Sequence, residues 1–132
     1  MLNEQKVSLS KYRLDKANET YSTALENLSN SKYLDANNRA YYSIYHSIRA
    51  VLALDGVDFK KHSGVISYFR ENYIKTNVFD SLYSDIIGKA SIIRGKSDYE
   101  DFYFATAAEA KEQVDNALVF YNAVAEYISK QV

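Results

Sequence analysis

The sequence predicts an all-α protein, an antiparallel up-and-down bundle of four to five helices. Three observations carry this expectation. The 132 residues contain no proline and only four glycines, so the residues that end helices and shape tight β-turns are almost missing. Apolar residues recur at steps of three and four in five successive segments, as one face of a helix requires. Short polar stretches separate these segments, and short connections favour antiparallel neighbours. A chain of this length is one domain by default, residues 1–132, and buries roughly two-thirds of its unfolded surface without a metal or a disulfide.

The first helix is predicted from about Ser10 to Leu28, with Leu14, Ala17, Tyr21, Ala24, Leu25 and Leu28 on one face. Ser29-Asn30-Ser31 breaks it with turn-forming residues. The second runs from about Lys32 to Leu54 and carries two stripes. One is apolar: Tyr41, Ile44, Tyr45, Ile48, Val51 and Leu52. The other is small and polar: Arg39, Tyr42, Ser43, His46, Ala50 and Ala53. A helix with two such faces is expected to be central in the bundle or shared with a partner chain. Asp55-Gly56 ends it, with glycine taking the left-handed cap. Residues 57–62 read as an exposed connection. Ser63 is expected to cap a third helix reaching about Lys75, with Val65, Ile66, Phe69 and Tyr73 inward. A fourth helix starts at Asp80 or Ser81, turns Leu82, Tyr83, Ile86, Ile87, Ala90 and Ile93 to one side, and weakens at Gly95. Residues 95–105, GKSDYEDFYFA, have no clear period. Thr106-Ala-Ala-Glu109 has the form of a capping box and opens the last helix, whose face is Ala110, Val114, Ala117, Leu118, Tyr121, Ala125 and Ile128.

Composition removes several classes of function. With no cysteine, disulfide frameworks, thiolate zinc sites, dithiol redox chemistry and a thiol nucleophile are all excluded. Two histidines, His46 and His62, are too few for a histidine-rich metal centre, and no metal or cofactor is expected. The motifs HExxH, GxSxG and the phosphate-binding P-loop are absent. A formal charge of −1 argues against a polyanion binder held by bulk charge but leaves room for a local basic patch. No stretch approaches the ~20 apolar residues that span a bilayer, and the first residues lack the apolar core of a signal peptide. A soluble, cytoplasmic protein without membrane contact is expected.

Arg94 is the most informative residue. It continues the inward series Ile86, Ile87, Ala90, and arginine is rarely buried without a partner. Asp98 lies one turn further and can take its guanidinium. The pair is either a structural clamp or the base of an anion site in which Arg94 binds phosphate. In the second case Asp98 orients Arg94 and Tyr99 adds a hydroxyl or a stacking face, because a carboxylate beside a guanidinium is a poor proton acceptor near neutral pH. Tyr42 and His46 of the second helix are expected nearby, with His46 the candidate acid–base. A plain packing role is the alternative for His46. His62, beside Lys60 and Lys61, reads as a solvated loop residue, or else as part of an anion site at a helix start. Of the 13 tyrosines, Tyr21, Tyr41, Tyr45, Tyr83 and Tyr121 fall at core spacing, whereas Tyr42, Tyr99 and Tyr103 do not.

Several pieces occur together and in order: Asn38-Arg-Ala-Tyr-Tyr-Ser-Ile-Tyr-His46, Ala50-Val-Leu-Ala-Leu-Asp-Gly56, Lys61-His-Ser-Gly-Val-Ile66, Phe69, Arg94-Gly-Lys-Ser-Asp-Tyr99 and the alanine-rich last helix. From about Asn38 to Ile128 the chain resembles the HEPN domain family, in particular its small stand-alone members. The resemblance implies a helical bundle that pairs as a homodimer. It also implies relatives that are metal-independent ribonucleases of toxin–antitoxin modules, often beside a minimal nucleotidyltransferase as partner. Their site joins an arginine to a histidine a short way downstream. Arg94 matches the arginine, but the residues that follow are Gly95, Lys96, Ser97, Asp98, Tyr99 and Glu100. The implied role is therefore a HEPN protein that binds RNA or a nucleotide through a degenerate nuclease motif. An active endoribonuclease using another base, His46 or Tyr99, and an interaction bundle without chemistry are the alternatives.

Overall fold

The computed structural model describes residues 3–132 and is an all-α bundle, with no strand among the described residues. α1 spans Glu4–Ser29, α2 Tyr33–Asp55, α3 His62–Phe69, α4 Ser81–Tyr99 and α5 Ala107–Gln131. A π-helical turn, Arg70–Ile74, extends α3. α1 starts at Glu4 rather than near Ser10 because the Asn3 side chain accepts from the Lys6 N–H at 2.9 Å, satisfying a donor the first turn leaves open. α2 ends at Gly56, whose φ of 69° is the left-handed cap. Asp80 caps α4 through the Leu82 N–H, and Thr106 caps α5 through the Glu109 N–H. The reciprocal half of the predicted capping box is not made, since the Glu109 carboxylate accepts instead from Tyr103 and Asn37. Ser63 does not cap α3, which opens at His62 with no side-chain cap.

α2 is the axis of the bundle and packs against α1, α3, α4 and α5. Ala40, Ile44, Ile48, Val51 and Leu52 are almost fully enclosed. Its second stripe is divided. Ser43, Ala50 and Ala53 are buried, and α1 of the same chain covers them. The Ser10 hydroxyl donates to the Ala50 carbonyl at 2.7 Å, and the Ser43 hydroxyl to the Ala17 carbonyl at 2.9 Å. These bonds make α1 and α2 antiparallel. The buried line of α1 is accordingly Ser10, Arg13, Ala17, Thr20 and Ala24, small enough to bring the two backbones close. Leu25, predicted inward, is 44% exposed. No partner chain is needed to cover the small residues of α2.

Two other faces differ from the predicted ones. α4 does not weaken at Gly95 but continues to Tyr99, with the irregular segment beginning at Glu100. Ile86, Ile87, Ala90 and Ile93 point inward as predicted, while Leu82 is half exposed. In α5 the buried face is Ala110, Gln113, Val114, Ala117, Phe120, Val124 and Ile128. Leu118 lies off it, and Phe120, missing from the predicted face, is fully buried against Phe69 and Tyr83. In the third segment Val65, Phe69 and Tyr73 are buried. The π turn sets Tyr73 to donate to the Asp55 carboxylate at 2.6 Å, which ties α3 to the end of α2. No described helix is long and apolar enough to cross a membrane.

Candidate anion-binding site

The continuation of α4 past Gly95 places Arg94, Asp98 and Tyr99 on one helix alongside the N-terminal half of α2. Side-chain bonds fix the register, with Asn37 donating to Ser97 and Asn38 to Asp98. The Arg94 guanidinium lies 4.7 Å from the ring centre of Tyr41, 5.4 Å from that of Tyr42 and 5.9 Å from that of Tyr99. Its Nη2 donates to the Tyr42 hydroxyl at 3.2 Å and approaches His62 Nδ1 at 3.3 Å. Its Nε is buried and makes no hydrogen bond among the described residues. The nearest Asp98 oxygen is 3.8 Å away, an ion pair but too long for a bond. Asp98 is held instead by the Asn38 amide, which donates to both carboxylate oxygens at 3.1 and 3.0 Å.

His62, read from the sequence as a solvated loop residue or else as part of an anion site at a helix start, joins the Arg94 cluster. It stands at the first position of α3, and its ring lies tilted 4.1 Å from Tyr45, stacked on Tyr41 at 5.8 Å and edge-on to Tyr42 at 5.6 Å. The Tyr41 hydroxyl lies 3.0 Å from Nδ1. A guanidinium can only donate, so the Arg94 contact assigns the Nδ1 lone pair to the site and the ring proton to Nε2. Burial, then Arg94 and Arg49, lower the His62 pKa, so the ring is neutral around pH 7. Burial raises the Tyr41 hydroxyl to about 12. For Arg94, burial opposes the charge, but Tyr42, Tyr41, Tyr99 and Asp98 outweigh it and raise the pKa.

The structure thus gathers Arg94, Asp98, Tyr42 and Tyr99, the last at the rim with 76% of its surface exposed. It places His46 beside Tyr42, ring centres 6.2 Å apart, but with no bond to Arg94 and with a buried, unpartnered Nδ1. Burial, followed by Lys16, Arg49, Arg39 and Arg13, lowers its pKa to about 4. His46 therefore does not titrate near neutrality. The sequence signal for His62 is the Lys61–Ile66 segment. Read alone it looks like a polar connection, and only the packing on Tyr45 gives it a place. No group of three metal-ligating side chains gathers among the described residues.

Chemically, the cluster offers a charged guanidinium with an unused N–H, a neutral imidazole acceptor 3.3 Å from it, and two tyrosines able to donate or stack. This set suits a phosphate ester bearing a hydroxyl.

Comparison with known proteins bears on the family of the chain. A family model described as HEPN domain matches residues 10–128. A Methanocaldococcus jannaschii protein named a putative toxin is 35% identical over 83% of this chain and 76% of its own length. A second protein of that organism with the same designation is 39% identical over 63% of this chain and 62% of its own. A Thermotoga maritima protein named a UPF0332 protein is 26% identical over 94% of both chains.

Proposed function

The chain belongs to the HEPN domain family, and from that premise we propose that it is a toxin-type protein that binds RNA at Arg94 and cleaves it slowly, without a metal, using His62. The observation that carries this reading is the Arg94–His62 contact at 3.3 Å. It restores, from another helix, the arginine–histidine pair that the sequence after Arg94 lacks. In this reading Arg94 holds a phosphate and offsets the charge that grows on it as the ester is attacked. The bound phosphate draws the Arg94 N–H to itself and frees the His62 Nδ1 lone pair, which takes the proton of the neighbouring 2′-hydroxyl, whose oxygen then bonds to phosphorus. The bond to the 5′-oxygen breaks, and that oxygen receives a proton from the imidazolium. Tyr41 and Tyr45 hold the ring in place.

A second reading, binding without cleavage as the partner of a minimal nucleotidyltransferase, is favoured by the missing downstream histidine. Homodimerisation belongs to both readings. Tyr99, Phe102 and Phe104, all largely exposed, are an apolar surface open to either partner.

The test is binding and cleavage of single-stranded RNA in chelator by wild type, Arg94→Ala, His62→Ala and His46→Ala. Arg94→Ala should lose binding. His62→Ala should keep it but lose roughly 10²–10⁴-fold in rate, as removal of a positioned acid–base does. Cleavage that persists in His62→Ala would overturn the assignment. Arg94-dependent binding with no cleavage by wild type would select the second reading, and copurification with a coexpressed nucleotidyltransferase would support it.

A further inference from the structure

The part of the α2 stripe that α1 leaves uncovered carries a second feature. Arg39, Tyr42, His46 and Arg49 recur at steps of three and four along the helix and are all half-buried. From Arg39 to Arg49 this row is about 15 Å long at the rise of an α-helix. Two rings lie between the two arginines of the row, and each guanidinium packs on a tyrosine: that of Arg39 5.1 Å from the Tyr42 ring, and that of Arg49 6.0 Å from the ring of Tyr45, a buried neighbour outside the row. Lys16 of α1 joins on one side, and Arg94 of α4 lies against Tyr42 in the middle. The main electrostatic influences on His46 are all cationic: Lys16, Arg49, Arg39 and Arg13. Asp58 is the carboxylate on this stretch, shared by Arg13 and Arg49. Among the described residues Arg39 has no ion pair, and the neutral Asn38 amide holds it.

A chain with a net charge of −1 has therefore concentrated cations on one face, and several of their nitrogens are unused. His46 Nδ1, Arg49 Nε and Arg94 Nε are buried and unpartnered. Buried polar atoms without partners cost stability unless something else satisfies them. Positive charge interleaved with aromatic faces matches a strand of phosphates and unpaired bases, which stack on tyrosine and are held by arginine. A duplex keeps its bases stacked on one another and cannot use those faces.

We infer that the Arg39–Tyr42–His46–Arg49 row of α2 is a track for single-stranded RNA, leading the strand into the Arg94 site, with His46 contacting phosphate. The inference rests on the function proposed above and names the form of its substrate. A phosphate between Arg39 and Arg49 also places an anion beside His46, on which the charges of Lys16, Arg49, Arg39 and Arg13 act most in the free protein, and so favours its protonated form.

The experiment measures binding of a labelled oligouridylate over a range of salt, for wild type, Arg39→Gln, Arg39→Gln/Arg49→Gln and Arg94→Ala. The same oligomer as DNA and an RNA hairpin of equal length are the comparisons. The double variant should bind the single strand about tenfold or more weakly, with a salt slope reduced by about 0.7 for each phosphate that is no longer neutralised. Binding to the hairpin should be weak throughout. Arg39→Gln guards against a folding artefact, because Arg39 makes no ion pair among the described residues. NMR titration of His46 should show its pKa rise when the oligomer is bound. Abolished binding in Arg94→Ala with no change in either α2 variant would leave the site standing and remove the track. Equal weakening for hairpin and single strand would overturn the single-stranded form. Preference for the DNA oligomer would overturn RNA as the occupant. A change of oligomeric state in the double variant, with RNA binding kept, would assign the row to a second copy of the chain.

Discussion

At the scale of single residues, the two histidines differ in their relation to Arg94: His62 contacts it, and His46 does not. The spacing predicts His46 near Arg94 because it follows Tyr42 by one turn on α2; in the structure its ring lies beside Tyr42, 6.2 Å between centres, without a bond to Arg94. What a sequence does not display is the set of cations packed around it: Lys16 comes from α1, and Arg39 and Arg49 flank it on α2. His62 precedes a helix in a run of basic residues, which reads as solvated. Its packing on Tyr45 depends on how α3 folds back over α2, a contact between residues far apart in the chain. Arg94 is legible because its spacing from Ala90 marks it as inward and because charge buried on a helix needs partners. A consequence is measurable in the pH dependence of cleavage. His62 acts as a base only when neutral, and its pKa lies below the ordinary imidazole value because burial, Arg94 and Arg49 disfavour the cation. The rate should fall on the acid side with a midpoint below about 6.5. A midpoint at or above that value in the free-enzyme profile would show that another group titrates.

Among the elements, the seam between α1 and α2 decides which face of α2 is left open. It is made of small residues and side-chain hydroxyls: Ser10, Ala17, Ser43 and Ala50. A reading by apolar period misses such a seam, because serine and alanine contribute little to a hydrophobic stripe. That is why the period turns Leu25 inward and why the second face of α2 looks as if it needs another chain. The periods of α2 and of Ile86–Ile93 are legible because large apolar residues mark both. Phe120 is missed by one step along α5, where Leu118 and Tyr121 on either side make a plausible stripe of their own. The seam predicts that Ala50→Leu will be poorly tolerated. Ala50 is fully buried, and its carbonyl receives the Ser10 hydroxyl at 2.7 Å. Three added carbons must push α1 away, at a cost of about 1–3 kcal/mol. Urea unfolding should register this as a lower midpoint, whereas Leu25→Ala, at an exposed position, should change it little. Equal tolerance of the two would mean that α1 does not pack here as described. At the other end of α2, Gly56 sits at a φ of 69°, and a Cβ there would come within 2.9 Å of the Lys6 side chain. Gly56→Ala should lower stability in the same assay by about 1 kcal/mol, mostly through the left-handed backbone.

For the whole molecule, the cationic face ties stability to pH. An unfolded chain takes up a proton on His46 near the ordinary pKa of 6.5, but the folded protein resists until about pH 4. The cause is first the burial of the ring and then the surrounding Lys16, Arg49, Arg39 and Arg13. Since the unfolded state binds the extra proton throughout that interval, acid favours unfolding. The contribution is fully present above pH 6.5 and is lost as the pH falls toward 4, with a slope of at most ~1.4 kcal/mol per unit for one proton. His62 acts in the same direction, its pKa also being lowered, first by burial. Asp58 enters at lower pH. Burial works against its charge, but its bonds from Arg49 and the Phe59 N–H and the charges of Arg49 and Arg13 leave its pKa below 3.8. It therefore adds to the loss only below that value. Thermal unfolding from pH 7 to 4 should show a midpoint that falls steadily on the acid side. His46→Asn, which cannot titrate, should flatten the fall between 6.5 and 4 while leaving the part below 3.8. A bound oligonucleotide should reduce the His46 contribution, because the anion favours its proton in the folded state. The stabilisation that RNA confers should then grow as the pH drops from 7 to 5 and lose that growth in His46→Asn. A constant ligand-induced shift across this range would separate His46 from the bound strand.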